Sequence, residues 1–236
     1  MSQKGTLYLI PTTLGNNNLD KIMPQANEKI IFETKVFIVE NLRTARRFLK
    51  LVNRNINIDE LTFFELNQHT NVTQISSYLH PIFEGKDVGI LSEAGCPAIA
   101  DPGADVVTIA QKQDIHVVPL IGASSILLSL MASGFNGQSF AFVGYLPVKQ
   151  PERTKAIKQL EHRVYAEQQT QIFIETPYRN MKMLDDIIAT CRPTTKLCIA
   201  TDITLDTEFI KTKTVKEWKQ QQPNLNKRPS IFLLYR

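Results

Sequence analysis

Five short apolar runs recur along the first 120 residues, and each is separated from the next by 20 to 24 residues, room for a helix and its loops. They occupy residues 6–10 (TLYLI), 35–39 (KVFIV), 61–66 (LTFFEL), 87–91 (DVGIL) and 115–119 (IHVVP). A strand with one buried face alternates apolar with polar residues, whereas these runs are β-branched and apolar on both faces. Between them, helices are predicted at residues 42–52, 72–83 and 104–112, the second after the N-cap candidates Thr70 and Asn71. This alternation predicts a parallel sheet covered by helices on both sides and wound by right-handed crossovers. The first α/β domain is expected to be complete within residues 1–121.

A second α/β domain is expected over residues 122–236. It opens with a very apolar helix at 123–132 and continues with strands at 140–143 and 171–174 flanking an amphipathic helix at 152–161. A helix at 180–190, strands at 196–201 and 208–212, a helix at 215–221 and a closing strand at 230–235 follow. The spacing is less regular here, so a mixed sheet is predicted rather than a purely parallel one.

Several classes of function are excluded before any motif is read. No apolar stretch approaches the ~18–20 residues that span a bilayer, and no leader pattern opens the chain. Cys96, Cys191 and Cys198 are odd in number and form no CxxC, so neither a disulfide framework nor a structural metal site is expected. A cytoplasmic protein without metal or membrane attachment fits best. The net charge is +4, but residues 1–118 carry 11 basic and 13 acidic side chains while residues 119–236 carry 16 and 10. A basic second half is compatible with a phosphate-bearing partner and equally with a solvated lysine face.

Ligands of open parallel sheets bind beyond the carboxyl ends of the strands, so the loops there carry the functional information. The loop after the first strand (Pro11-Thr12-Thr13-Leu14-Gly15-Asn16) is not GxGxxG, and no P-loop occurs. After the fourth strand runs Ser92-Glu93-Ala94-Gly95-Cys96-Pro97-Ala98-Ile99-Ala100-Asp101-Pro102-Gly103. Its small residues, two glycines and two prolines make a rigid loop that lets backbone approach a ligand. After the fifth strand, Gly122 permits a tight turn and Ser124 is placed to cap the next helix.

Together with Val39-Glu40-Asn41-Leu42-Arg43, Gly144-Tyr145-Leu146-Pro147 and Glu175-Thr176-Pro177-Tyr178-Arg179, these loops resemble one family. The chain is similar over nearly its whole length to the tetrapyrrole methylase superfamily of S-adenosylmethionine-dependent methyltransferases. Within it, the resemblance is nearest to the branch that methylates a cytidine ribose 2′-oxygen in small-subunit ribosomal RNA, in a short form without that branch's helical C-terminal extension. The resemblance implies a homodimer of two-domain α/β subunits with S-adenosylmethionine in the cleft between the domains. It implies cofactor contacts at Leu14, Glu93, Ala94, Gly95, Cys96, Ser124, Ser125, Glu175 and Thr176, with Ala200 and Pro229 at further strand ends. RNA or the small ribosomal subunit is the implied partner.

A ribose hydroxyl is a poor nucleophile near neutral pH, so a general base is expected. Glu40, His69 and Asp101 are the candidates. Each has a plainer alternative: Glu40 as partner of Arg43, His69 as a loop residue, Asp101 as a cap for the helix after Gly103. Arg43, Arg46 and Arg47 open a helix beside these loops and are candidates for holding substrate phosphates. Lys149, Arg153, Lys155 and Lys158 form a second basic group suited to a polynucleotide backbone. Two other readings share the same residues: a methyltransferase for a small, tetrapyrrole-like molecule, and a dimeric binding module without catalysis.

Overall fold

The computed structural model describes residues 4–15, 18–67 and 70–236. The chain divides into two compact units, residues 1–124 and 125–236. Among the described residues, no helix is long and apolar enough to cross a membrane.

The first unit runs β1 (Thr6–Ile10), α1 (Gln25–Glu33), β2 (Val36–Val39), α2 (Leu42–Val52), β3 (Thr62–Glu65), α3 (Val72–Ile75), α4 (His80–Phe83), β4 (Val88–Leu91), α5 (Gly103–Lys112) and β5 (His116–Pro119). The sheet order is β3-β2-β4-β1-β5 and every pairing is parallel. The first two connections run one way along the sheet and the next two run back. Right-handedness therefore puts their helices on opposite faces. The packing follows: Ile31 of α1 and Ala45, Phe48 and Leu49 of α2 pack with Ile10, Phe37, Val39 and Leu91. Ile75, Leu79, Ile82, Val106 and Ala110 pack with Leu7, Val36, Ile38, Val88 and Ile90. Neighbours along β2 alternate between these two cores, as the pleat requires. The expectation of a sheet covered on both sides holds.

One local expectation is corrected, and one helix is not foreseen in the sequence. A continuous helix over 72–83 is instead α3, a 3-10 turn (Ser76–Leu79) and α4. Pro81 supplies no N–H and crowds the carbonyl four residues back, which forces the tighter turn. Helix α1 carries little periodic signal because its buried residues are only Asn27 and Ile31. Asn27 is satisfied there by donating from Nδ2 to the Ile121 carbonyl at 2.8 Å.

The second unit runs α6 (Ser125–Ser133), β6 (Phe140–Tyr145), α7 (Glu152–Ala166), β7 (Thr170–Ile174), α8 (Asn180–Thr190), β8 (Lys196–Thr201), β9 (Phe209–Thr214), α9 (Val215–Gln220) and β10 (Ser230–Tyr235). Its order is β6-β7-β10-β8-β9; β6–β7 is parallel and the other pairings are antiparallel, giving the mixed sheet expected. Ile157, Leu160, Val164, Met183, Leu184, Ile187 and Trp218 from α7–α9 pack on Phe173, Leu197 and Phe232 of the sheet. Helix α7 continues beyond the expected 161 because Glu161 faces inward. Its Oε1 accepts from the Arg192 N–H (2.7 Å) and the Thr195 hydroxyl (2.5 Å). A Thr214–Glu217 capping box starts α9.

Candidate active site

In the first unit, the loops after β1, β4 and β5 are stitched together at the carboxyl edge of the sheet. The Gly95 carbonyl accepts from the Thr12 N–H (2.9 Å) and from the Ser92 hydroxyl (2.7 Å). The Thr12 hydroxyl donates to the Ser92 carbonyl at 3.1 Å. Cys96 Sγ lies 3.5 Å from the Ala123 carbonyl. Gly95 has φ +73°, and a Cβ there would stand 3.1 Å from Leu14 Cδ2 and 3.3 Å from the Ala123 oxygen. At Gly122 a Cβ would stand 2.3 Å from Pro11 Cβ, so only glycine lets the first and fifth loops meet. Leu14, Gly95 and Cys96 thus lie together at the edge of the sheet, and α6 begins at Ser125, directly after Ser124. Sequence reasoning missed Thr12, whose buried hydroxyl holds the loops in register.

The 92–103 loop stores strain. Ala98 (φ 65°) and Ala100 (φ 61°) both sit in the left-handed region, at a cost of about 1–2 kcal/mol each. Asp101 Oδ1 maintains this by accepting the Ala98 N–H (2.9 Å) and the Gly103 N–H (2.7 Å). Asp101 therefore pins the loop to the start of α5, the plainer of its two expected roles. Its Oδ2 is buried without a partner.

Beside these loops lies a cavity of about 620 Å³, lined among others by Thr12, Thr13, Glu40, Thr44, Arg47 and Glu93. Glu40 projects from the end of β2, half-buried, and its Oε1 accepts the Glu93 N–H at 3.4 Å. Glu93 in turn accepts the Thr44 hydroxyl at 2.5 Å. Glu40 and Asp101 both border a gap too narrow for water. Burial first, and then the negative charge of Asp101, push the Glu40 carboxyl above its ordinary range; the Glu93 N–H opposes this and the Glu93 charge adds to it. Burial also raises Asp101 against its two backbone donors. The expected Glu40–Arg43 pairing does not form among the described side chains.

The three arginines separate. Arg47 lines the cavity, Arg46 stacks over the Phe63 ring at 5.6 Å, and Arg43 is exposed outside it. Asn41 caps α2 by accepting the Arg43 and Thr44 N–H groups (2.9 and 3.3 Å). His69 lies outside the described residues.

In the second unit, Glu175 is 4% exposed at the end of β7. Its Oε1 accepts from Arg179 (2.6 Å) and from the Thr176 N–H (2.7 Å). Burial raises the Glu175 pKa, but the Arg179 and Thr176 hydrogen bonds and the Arg179 and Arg153 charges outweigh it and lower the net value. Glu175 Oε2 and Asn180 Oδ1 are each buried acceptors without a partner. The Pro229 carbonyl is occupied by the Asp202 N–H at 3.0 Å. Ala200 is fully buried and paired between β10 and β9, so it presents no contact surface.

One basic group is corrected outright. Arg153 is 3% exposed and does not face solvent. It donates to Asp186 Oδ2 (2.9 Å) and to the Pro147 and Val148 carbonyls, locking the segment before α7 onto α8. Lys149, Lys155 and Lys158 remain exposed.

No family model matches the chain. Curated relatives do. The chain is 30% identical over 233 residues to the ribosomal RNA small subunit methyltransferase I of Haemophilus influenzae, covering 98% of this chain and 78% of the relative. It is 29% identical over 236 residues to the protein of that name from Escherichia coli O157:H7 (99% and 78%). With that of Halalkalibacterium halodurans it shares 32% over 201 residues, 82% of this chain and 65% of the relative. The chain thus spans from just under two thirds to about four fifths of these relatives' length. Among solved structures, the methyltransferase CobJ superposes with a TM-score of 0.65 at 14% identity, covering 98% of this chain and 94% of that one. Uroporphyrin-III C-methyltransferase from Thermus thermophilus, complexed with S-adenosyl homocysteine, gives 0.58 at 16% identity, covering 98% and 97%.

Proposed function

The chain belongs to the ribosomal RNA small subunit methyltransferase I family, of tetrapyrrole methylase fold, and from that premise we propose that it is an S-adenosylmethionine-dependent methyltransferase acting on a ribose 2′-oxygen of small-subunit ribosomal RNA. The observation that carries the reading is the cavity that Glu40 and Arg47 both line, next to the stitched loops of the first unit.

The residues present fit the cofactor. Leu14, the 93–96 run and Ser124 belong to loops made of small side chains and held by backbone bonds, suited to an adenosine that is read by backbone donors and acceptors. Cofactor contacts at Ser125, Glu175 and Thr176, and homodimer assembly in the cytoplasm, belong to the same proposal. When bound, S-adenosylmethionine supplies an electrophilic methyl group on a positively charged sulfur.

The chain's own work is alignment, exclusion of water and removal of one proton. Glu40 accepts that proton from the attacking hydroxyl. Burial and the Asp101 charge raise its pKa, which makes its carboxylate a stronger base than that of an exposed glutamate. The Glu93 N–H and the Thr44–Glu93 bond hold Glu40 in position. Asp101 acts on Glu40 through its charge and the loop it pins.

The test is methyl transfer from labelled S-adenosylmethionine to small ribosomal subunits that lack the modification, followed by mapping of the labelled nucleotide. Label on a ribose 2′-oxygen is expected. Label on a base, or transfer only to small molecules, would overturn the reading.

A further inference from the structure

We infer that Arg47, Lys50 and Arg54 form a phosphate-binding row that holds the RNA backbone next to the target ribose, with the hydroxyl end of the same cavity set by Glu40. This rests on the proposed RNA substrate, keeps Arg47 of the three arginines singled out in the sequence, and adds Lys50 and Arg54, which sequence reading did not assign.

All three cations line the one cavity that also holds Glu40 and Glu93. Its charge is segregated: carboxylates at the strand ends, cations along α2 and the turn after it. Helix α2 produces this arrangement. Ala45, Phe48, Leu49 and Val52 face the core, which turns Arg47, Lys50 and Leu51 outward. Arg47 and Lys50 are three residues apart, about 4.5 Å along the axis and on one side of the helix. Arg54 follows in the turn, and that turn is fixed. Lys50 Nζ donates to the Arg54 carbonyl at 3.1 Å, the Asn55 N–H to Asn53 Oδ1 at 2.9 Å, and Asn53 Nδ2 to Glu28 Oε1 at 2.9 Å.

The row is also unneutralised. Among the described residues, Lys29, Lys86, Arg153, Arg179, Lys182 and Arg228 each have a carboxylate partner. Arg47, Lys50 and Arg54 have none, although two carboxylates share their cavity. A site with a proton acceptor at one end and three unpaired cations at the other matches a hydroxyl flanked by phosphodiesters. Exposed Leu51 between them leaves an apolar surface for a sugar or base.

Counterion release sets the size of the effect. Each phosphate contact on a single strand contributes a slope of about −0.7 in log K against log salt, or about fivefold in affinity at 0.1 M salt. The K50Q/R54Q variant should therefore bind a labelled single-stranded RNA oligonucleotide about 25-fold more weakly, with the slope reduced by about 1.4. The loss should appear in KM for small ribosomal subunits, while calorimetric binding of S-adenosylmethionine is retained. The charge-preserving K50R/R54K variant should keep most of the affinity. K216Q/K219Q, an equal charge change at exposed positions of α9, should have no effect. If the wild type binds and methylates RNA but K50Q/R54Q matches it, or if both neutralised pairs weaken binding equally, the row is refuted and the RNA reading stands. If the wild type neither binds nor methylates RNA or subunits, both fall together.

Discussion

Replacing Arg153 with methionine separates a structural strut from a nucleic-acid contact. The guanidinium is 3% exposed, and its ion-pair partner Asp186 is buried to a similar degree. Methionine fills most of the volume but leaves Asp186 Oδ2 and the Pro147 and Val148 carbonyls without their donor. Breaking a buried pair by removing one partner costs about 3–5 kcal/mol. Lys182 still reaches Asp186 Oδ1 at 3.1 Å, which places the expected loss at the lower end, about 3 kcal/mol. For a unit of this size, a urea slope of about 1.5 kcal/mol/M converts that into a midpoint lowered by about 2 M. The assay is built into the molecule. Trp218 is the only tryptophan, is 1% exposed and donates to the Leu197 carbonyl at 2.8 Å, so its emission reports unfolding of the second unit alone. R153K should fall between, because an ammonium cannot reproduce the three-way fork. An unchanged midpoint in R153M, or a loss of RNA affinity with stability intact, would refute the assignment.

Four further outcomes follow from the first unit. Glu40→Gln should lower kcat by about 100-fold or more with RNA binding retained, measured by single-turnover methyl transfer. Because burial and Asp101 raise the Glu40 pKa, and the ionised form is the base, activity should fall with decreasing pH through a limb above the ordinary glutamate range. Asp101→Asn keeps the backbone acceptor but removes the negative charge, so in a pH–rate profile that limb should move to lower pH; a shift upward or none would contradict the coupling. Gly122→Ala drives a Cβ into Pro11 and should cost about 1–3 kcal/mol of stability in the first unit, with weakened S-adenosylmethionine binding by calorimetry.

The sequence was legible where one local force decides the structure. Helix α2 shows its core face at 45, 48, 49 and 52 and carries an Asn cap, and its limits match those expected. The parallel strands declare themselves by being apolar on both faces. Legibility failed where a polar side chain is buried with a partner distant in sequence. Asn27 conceals α1, and Glu161 makes the last turns of α7 look like solvated loop. Arg153 is the same failure in the opposite sense: among neighbouring lysines it reads as surface charge, and only Asp186, 33 residues away, reveals it as a strut. For the site, the small residues of the 92–103 loop were informative because close backbone approach restricts composition. Lys50 and Arg54 gave no such signal, since an exposed cation looks alike whether it faces a cavity or open water.

The strand order also imposes a timetable on synthesis. β1 is the first strand made, yet both of its neighbours come late: Leu7 pairs with Val88 of β4, and Thr6 with His116 of β5. β2 and β3 can pair as soon as they emerge, whereas β1 waits through more than 70 residues for a partner. Until then an apolar segment that ends up paired on both sides has both edges open, the circumstance in which nascent chains aggregate and engage chaperones. β4 then joins β2 to β1 by inserting between them, so the step that unites the sheet also brings the loops after β1 and β4 together. A chain stalled before residue 88 would have neither.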